Sequence, residues 1–332
     1  MKTKILSLML ACLIVSCADK KKESIIMQNS HITADNFVAE IIKIKKQYKE
    51  EKVYKFKYSN SDCYFEVFIN DLPVFKDFKY TAGSAFEINP CVFKSGKQKV
   101  LYKMYPANES EFGDYKTLID ESYLELKLAS YDFKKQEARD VIYSEYKSPM
   151  DTVVTDGFSE QKCVARGKDY YEGSFEIDVN VPYVHNKPFE KGIDLRKLDK
   201  KELEAKVLKY YEKLKAIYAN KELDNIAKLN FDKASNEFLS LYEKDEEIEK
   251  SWNIIVKDVK NSSLEMQPIE NYKLQFYDDG KLVALISNSK VKYLRQDSAL
   301  WAKYKDEDGD MSALKIKMYL YILEGETEFK VF

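Results

Sequence analysis

The sequence predicts a β-sandwich followed by an α+β domain in which helices come first and an antiparallel sheet follows. Three observations carry this. Between about residues 53 and 181 apolar residues alternate with polar ones in short runs, which is the period of half-buried strands. After a polar passage at Asn186-Lys187-Pro188 and Lys191-Gly192 the period lengthens to that of helices. The chain is also rich in rings, with 25 Tyr and 18 Phe giving, with the 2 Trp, 14% aromatic residues. Tyrosine suits a pleated surface where the ring packs and the hydroxyl stays wet.

In the sandwich, placed over residues 35–190, the pattern can be followed strand by strand. Cys63, Phe65, Val67 and Ile69 alternate with Tyr64, Glu66, Phe68 and Asn70. Asn70-Asp71 with Leu72-Pro73 reads as a turn, because proline fixes φ and Asn and Asp tolerate turn geometry. Phe86 and Ile88 resume the alternation before Asn89-Pro90, and Lys94-Ser95-Gly96-Lys97 turns the chain again. Val100, Tyr102 and Met104 form a strand ended by Pro106; Leu124, Leu126 and Leu128 form another. Val141 to Tyr146 is one more, and Phe175, Ile177, Val179 and Val181 close the set at Pro182. Strands at this spacing argue for a sandwich. Residues 34–50, with Phe37, Val38, Ile41, Ile42 and Ile44, fit a helical stripe or a strand equally well.

The second domain is placed over residues 191–332. Asp199-Lys-Lys-Glu202 has the spacing of a capping box, and Leu203, Val207, Tyr210, Leu214 and Ile217 follow at helical steps. Lys221 to Asn230 and Asp232 to Tyr242 read as two further helical pieces, and the acidic run Glu243 to Glu249 as a solvated helix end. The remainder reads as strands. Trp252 to Val256 is a short apolar segment, and Asp278-Asp279-Gly280 joins Leu274–Tyr277 to Leu282–Ile286 as a hairpin. Leu300 to Tyr304 leads through an acidic loop to Leu314, Ile316, Met318, Leu320 and Ile322, which alternate with polar residues.

The first 17 residues are of a different kind. Lys2 and Lys4 precede an apolar run from Ile5 to Val15, closed by Ser16 and Cys17. The run is far short of the roughly 20 residues of a spanning helix, so residues 1–16 read as a removable signal peptide. Ile14-Val15-Ser16-Cys17 resembles the lipobox of bacterial lipoproteins, which implies cleavage before Cys17 and a diacylglyceryl group on its sulfur. Residues 17–34 then read as a lipidated tether whose Lys20, Lys21 and Lys22 would lie near the bilayer. In lipoproteins of the Bacteroidetes type surface export goes with acidic residues at this place. The basic tether therefore points to an outer-membrane anchor facing the periplasm.

Two looser resemblances concern the folded parts. Phe65 to Val74, Ala85 to Asn89, Ser95-Gly96 and Val100 to Pro106 resemble part of a galactose-binding-like jelly roll, which implies a jelly-roll or immunoglobulin-like sandwich far more than it implies sugar binding. Tyr210-Tyr211 followed by Ala216 to Ile226 is similar to the opening of the NTF2-like cone folds, which implies a curved sheet closing around a pocket over about 195–332.

Charge and motif content narrow the chemistry. Net charge is −2, and loss of Lys2 and Lys4 makes it more negative, so nucleic acid is excluded as a partner. Of five cysteines, Cys12 leaves with the signal and Cys17 carries lipid. Cys63 and Cys91 are the candidate disulfide in an oxidising compartment, with three buried thiols (Cys163 the third) as the alternative. The two histidines, His31 and His185, cannot build a multi-histidine zinc site, and a histidine-based triad would need His185. No phosphate-binding glycine loop, serine elbow or HExxH occurs, so no cofactor and no metal is expected. Asp306, Asp308 and Asp310 carry Gly309 inside the triplet and Lys317 at the twelfth position, which suits a tight hairpin rather than a calcium loop. Asp151-Thr-Val153 and Asp297-Ser-Ala299 resemble the O-glycosylation triplets of Bacteroidetes envelope proteins.

Two functions follow as expectations. The first is a non-enzymatic envelope lipoprotein, anchored in the bilayer by Cys17, that binds an envelope protein or a small ligand; an immunity or inhibitor protein is its narrower form. The alternative is a hydrolase working with carboxylates in a cleft of the C-terminal domain. A buried Asp or Glu with a raised pKa would favour that alternative.

Overall fold

The computed structural model describes residues 26–79, 83–108, 113–135 and 140–332. The lipobox, Cys17 and Lys20–Lys22 lie outside these residues. Among the described residues no helix is long and apolar enough to cross a membrane.

Helix α1 (Phe37–Ile44) is the first element among the described residues and settles the ambiguous stretch as helix. Among the described residues ten strands follow: β1 (Lys52–Ser61), β2 (Cys63–Ile69), β3 (Leu72–Asp77), β4 (Ser84–Glu87), β5 (Gly96–Pro106), β6 (Tyr123–Asp132), β7 (Val141–Lys147), β8 (Met150–Thr155), β9 (Phe158–Cys163) and β10 (Tyr171–Val179). Three helices come next, α2 (Lys200–Ala219), α3 (Leu223–Ser240) and α4 (Asp245–Lys260). The chain ends in β11 (Glu265–Met266), β12 (Tyr272–Tyr277), β13 (Leu282–Ser287), β14 (Trp301–Lys305), β15 (Met311–Lys315), β16 (Leu320–Tyr321) and β17 (Lys330–Val331). A β-rich domain followed by an α+β region is thus the architecture, as the periodicities predict.

The β-rich part holds two four-stranded antiparallel sheets, ordered β4-β1-β6-β7 and β10-β5-β2-β3. Only Asp62 separates β1 from β2, and its φ of 48° lets the chain turn from one sheet to the other. Asn70 and Asp71, with φ of 49° and 64°, close the β2–β3 hairpin. That backbone suits the right-handed twist of the flanking strands. Tyr54, Phe56 and Tyr58 of β1 bury one face, as do Leu124, Leu126 and Leu128 of β6. Strands β8 and β9 form a separate two-stranded hairpin, turned by Asp156 and Gly157 at φ 52° and 82°.

The C-terminal part differs in detail from its reading. Asp199 caps α2, accepting from the backbone N–H of Lys201 and Glu202 at 3.0 Å each. Tyr211 rather than Tyr210 fills the core: its buried hydroxyl donates to Met318 O (2.7 Å) and accepts from Leu285 N–H (3.1 Å). The two pieces expected after Lys221 are one helix, α3. Trp252–Val256 is not a strand but the middle of α4, where Ile248, Trp252 and Val259 lie along one buried stripe. In the run from Leu314 to Ile322, Ile316, Met318 and Leu320 are buried on alternate positions, but Tyr321 and Ile322 are buried as well and the run is broken as a strand. Its first half pairs with β14 and its second half with β13 and β17.

Residues 26–34, expected to be tether, are part of the fold. Ile26 and Ile32 join the helical core, and Gln28 donates to Val331 O (2.7 Å) while its carbonyl accepts Val331 N–H (2.8 Å). Phe37 stacks on Trp252 at 4.1 Å, and the Trp252 indole donates to Ala34 O (3.0 Å). Helix α1 therefore packs on α3 and α4, away from the sandwich core.

The two parts also share packing. All six residues of β13 are buried: Leu282, Ala284 and Ile286 belong to the sandwich core, and Val283 and Leu285 to the helical core. Phe68 of β2 stacks on Tyr277, and Phe189, from the polar passage, packs against Phe332 at 4.8 Å.

Candidate functional site

The seam between the sandwich and α3 is held by a single turn of 3-10 helix, Asn89–Cys91. Pro90 predisposes this turn, since its fixed φ suits the first helical positions. Asn89 has no exposed surface. Its carbonyl accepts Tyr54 N–H (2.7 Å), and its amide donates to Lys52 O (3.0 Å) and to Ser240 O at the end of α3 (2.9 Å). From α3, Asn236 donates to Pro90 O at 2.6 Å. This pillar divides two clefts, and Glu87, Asn236 and Leu241 line both.

The larger cleft has a volume of about 1050 Å³. Its walls come from the chain after α1 (Lys45, Gln47 and Tyr48 among them), the segment Val184–Asn186, and α3 with its continuation to Tyr242, Glu243 and Glu247. His185 lies in this wall, stacked on Tyr183 at 4.0 Å. Asn236 fixes its tautomer. The Asn236 N–H₂ faces Pro90 O, so its carbonyl oxygen faces His185 Nδ1 at 3.0 Å. Nδ1 must then carry the proton, which leaves Nε2 as acceptor. Burial holds the imidazole below its ordinary pKa, with Lys46 pushing the same way and Asn236 opposing.

Around this histidine the polar groups are incompletely satisfied. Among the described residues the hydroxyls of Tyr183, Tyr242 and Ser235 are buried with no hydrogen-bond partner. The Asn89 amide lies beside Tyr183, but both its N–H bonds go to backbone carbonyls. Burial raises the pKa of Tyr183 and of Tyr242. Buried polar atoms without partners carry a free-energy penalty of about 1–3 kcal/mol each and cluster where something else is meant to meet them. Some of the charges are paired: Lys45 with Asp245 at 2.7 Å and Lys134 with Glu51 at 3.2 Å. Glu243 stands apart. Burial raises its pKa, and Glu247, Glu237 and Glu87 add to the effect against the weaker pull of Lys45.

The smaller cleft, about 630 Å³, opens on the other side of the pillar between β3, β4, α3 and the β13 face. Its floor is aromatic: Phe75 and Phe86 stack at 4.4 Å, with Met318, Tyr319 and Phe332 opposite. Lys76, Lys233 and Lys317 bring charge to it.

The structure disposes of the other sequence candidates. Cys63 and Cys91 are not bonded to each other; with Cys163 they are free, buried thiols. Cys63 Sγ donates to Tyr123 O at 3.2 Å in the sandwich core, whereas Cys91 lies in the turn against α3, so the two occupy separate walls. Burial pushes Cys91 up to about 12 and Cys63 higher still, so neither is a ready thiolate. His31 pairs with Phe231 edge-on at 6.2 Å, far along the chain from His185. Asp306 uses its carboxylate to close the β14–β15 loop, accepting from Asp308 N–H, Asp310 N–H and Ser312 Oγ. Among the described residues no group of three or more His, Cys, Asp or Glu is placed to hold a metal. Thr152 is exposed on β8, but Ser298 is 4% exposed and accepts Leu300 N–H, which closes the second triplet to modification in the folded chain.

The sequence reading missed the pillar and with it both clefts. In the sequence Asn89-Pro90 reads only as the end of a strand. No family model, curated protein or solved structure matches the chain.

Proposed function

We propose that the chain is a lipid-anchored cell-envelope protein that binds a small polar ligand in the larger interdomain cleft. The observation that carries this is the His185 constellation: a neutral imidazole with its acceptor nitrogen fixed by Asn236, set among aromatic rings and three buried hydroxyls without partners. A cavity of this size, in which a histidine and many polar and charged side chains converge among aromatic and aliphatic ones, suits a small polar ligand. The anchor rests on the lipobox at Cys17. Two four-stranded sheets are the strand count of a jelly roll, which supports that reading of the sandwich.

The test is native mass spectrometry of the chain after equilibration with small molecules extracted from a cell envelope. Retention by the wild type, and loss in His185→Ala and in the cleft-filling Gln47→Trp, supports the proposal; Gln47 is exposed, so that variant leaves the core alone. Retention by all three contradicts it. For the anchor, Cys17→Ala should release the protein from membranes.

A second reading has an observation of its own. Glu243 lines the same cleft with a raised pKa, as a general acid requires. On that reading the cleft turns its ligand over, and Glu243→Gln abolishes turnover of an envelope glycan while leaving binding intact.

A further inference from the structure

Four lysines gather around one buried carboxylate at the smaller cleft, and three of them, Lys76, Lys233 and Lys317, line it. Asp297, 3% exposed, takes Lys76 and Lys315 on one oxygen at 3.0 Å each, and Ser298 N–H on the other at 3.0 Å. That carboxylate already takes three donors. Lys233, on α3, directs its ammonium to Lys317 O (3.0 Å) and over the Tyr319 ring at 5.3 Å. Among the described residues neither Lys233 nor Lys317 has a carboxylate oxygen within 4.0 Å. The remaining acids of the cleft do not change this. Glu66 accepts the Tyr105 hydroxyl at 2.7 Å, and Glu87 and Glu237 are exposed, Glu237 acting on Lys233 from one helical turn away.

Two ammonium groups with no carboxylate in direct contact thus border an aromatic floor. Lysines packed this closely repel one another, and an anion supplied from outside relieves that repulsion. Burial, ahead of these repulsions, holds both Lys76 and Lys233 at about 8.

We propose that the smaller cleft binds an amphipathic anion, its carboxylate or phosphate on Lys233 and Lys317 and its apolar body along Phe75, Phe86 and Met318. The apolar floor gives affinity through burial, and the lysine pair selects the charged head. This site does not depend on the ligand of the larger cleft.

Isothermal titration of the Cys17→Ser chain with dodecanoate, dodecyl phosphate, dodecanol and inorganic phosphate tests it. One molecule of dodecanoate or dodecyl phosphate should bind per chain, at least about tenfold tighter than dodecanol or phosphate. Preference between the two anions distinguishes a free carboxylate from a lipid phosphate as the source. Lys233→Gln with Lys317→Gln should weaken binding at least about tenfold, and Lys317→Gln alone about threefold. Lys317 is exposed, so the single variant reports even if the double one unfolds. Gln47→Trp, in the other cleft, should leave the affinity unchanged. No binding, equal binding of dodecanol, equally tight phosphate, an unaltered Lys317→Gln or a loss in Gln47→Trp would each overturn the proposal.

Discussion

Asn89 holds the seam from a position with no solvent contact, and its side-chain amide makes three hydrogen bonds to backbone groups. Removing its amide leaves Tyr54 N–H, Lys52 O and Ser240 O without their partner. Each buried group so orphaned costs about 1–3 kcal/mol, so Asn89→Ala should destabilise the chain by about 3 kcal/mol or more, read from urea unfolding. His185 sets a pH dependence of its own. Because burial disfavours the imidazolium, the unfolded chain takes up this proton at higher pH than the folded one does. Below the ordinary histidine value of about 6.5 the unfolded state therefore binds more protons, and stability falls as pH falls. Urea midpoints at pH 7 and pH 5 should drop further in the wild type than in His185→Gln. Equal drops would show that the imidazole is not held neutral. Glu243 shifts in the opposite sense: its native carboxyl holds a proton to higher pH, so its charging at neutral pH is a small standing penalty.

At the scale of elements, α4 shows how a helix escapes a pattern search. Its apolar residues Ile248, Trp252 and Val259 recur at helical spacing, but Ile254, Ile255 and Val256 thicken the run near Trp252 into something strand-like. The acidic first turn, Asp245 to Glu247, and the basic last turn, Lys257 and Lys260, were the better signal, since they complement the helix dipole. Trp252 is what fastens α1 to this helix, through the Phe37 stack and the bond to Ala34 O. Trp252→Ala should cost about 3–5 kcal/mol and open residues 26–44 to limited proteolysis. The β8–β9 hairpin is the opposite case. Val154 and Phe158 are 65% and 76% exposed, so Val154→Ser with Phe158→Ser should change stability by no more than about 0.5 kcal/mol.

At the scale of the molecule, the strands were legible because most have one wet face. Leu124–Leu128 and Phe175–Val179 alternate as plainly in the structure as in the chain. What alternation cannot convey is a strand buried on both faces. In β13, Leu282 to Ser287, the two residue sets belong to different cores, so the strand joins parts that read as separate domains. The same limit hid the clefts, which lie where elements distant in sequence meet: Asn89 with Ser240, and His185 with Asn236. Residues 26–34 look like tether only because their partners, Asp232 and Val331, lie some 200 to 300 positions onward. The lysine cluster at Asp297 is likewise assembled from β3, α3 and the β15–β16 passage.

The central claim is that the seam holds a ligand through His185 and its neighbours. Proton NMR of the His185 ring, followed through titration with envelope small molecules, tests it most directly. A bound ligand should shift the Nε2 side of the ring and change its apparent pKa, and Gln47→Trp should abolish both effects. A His185 signal that ignores every fraction retained by the protein would contradict it.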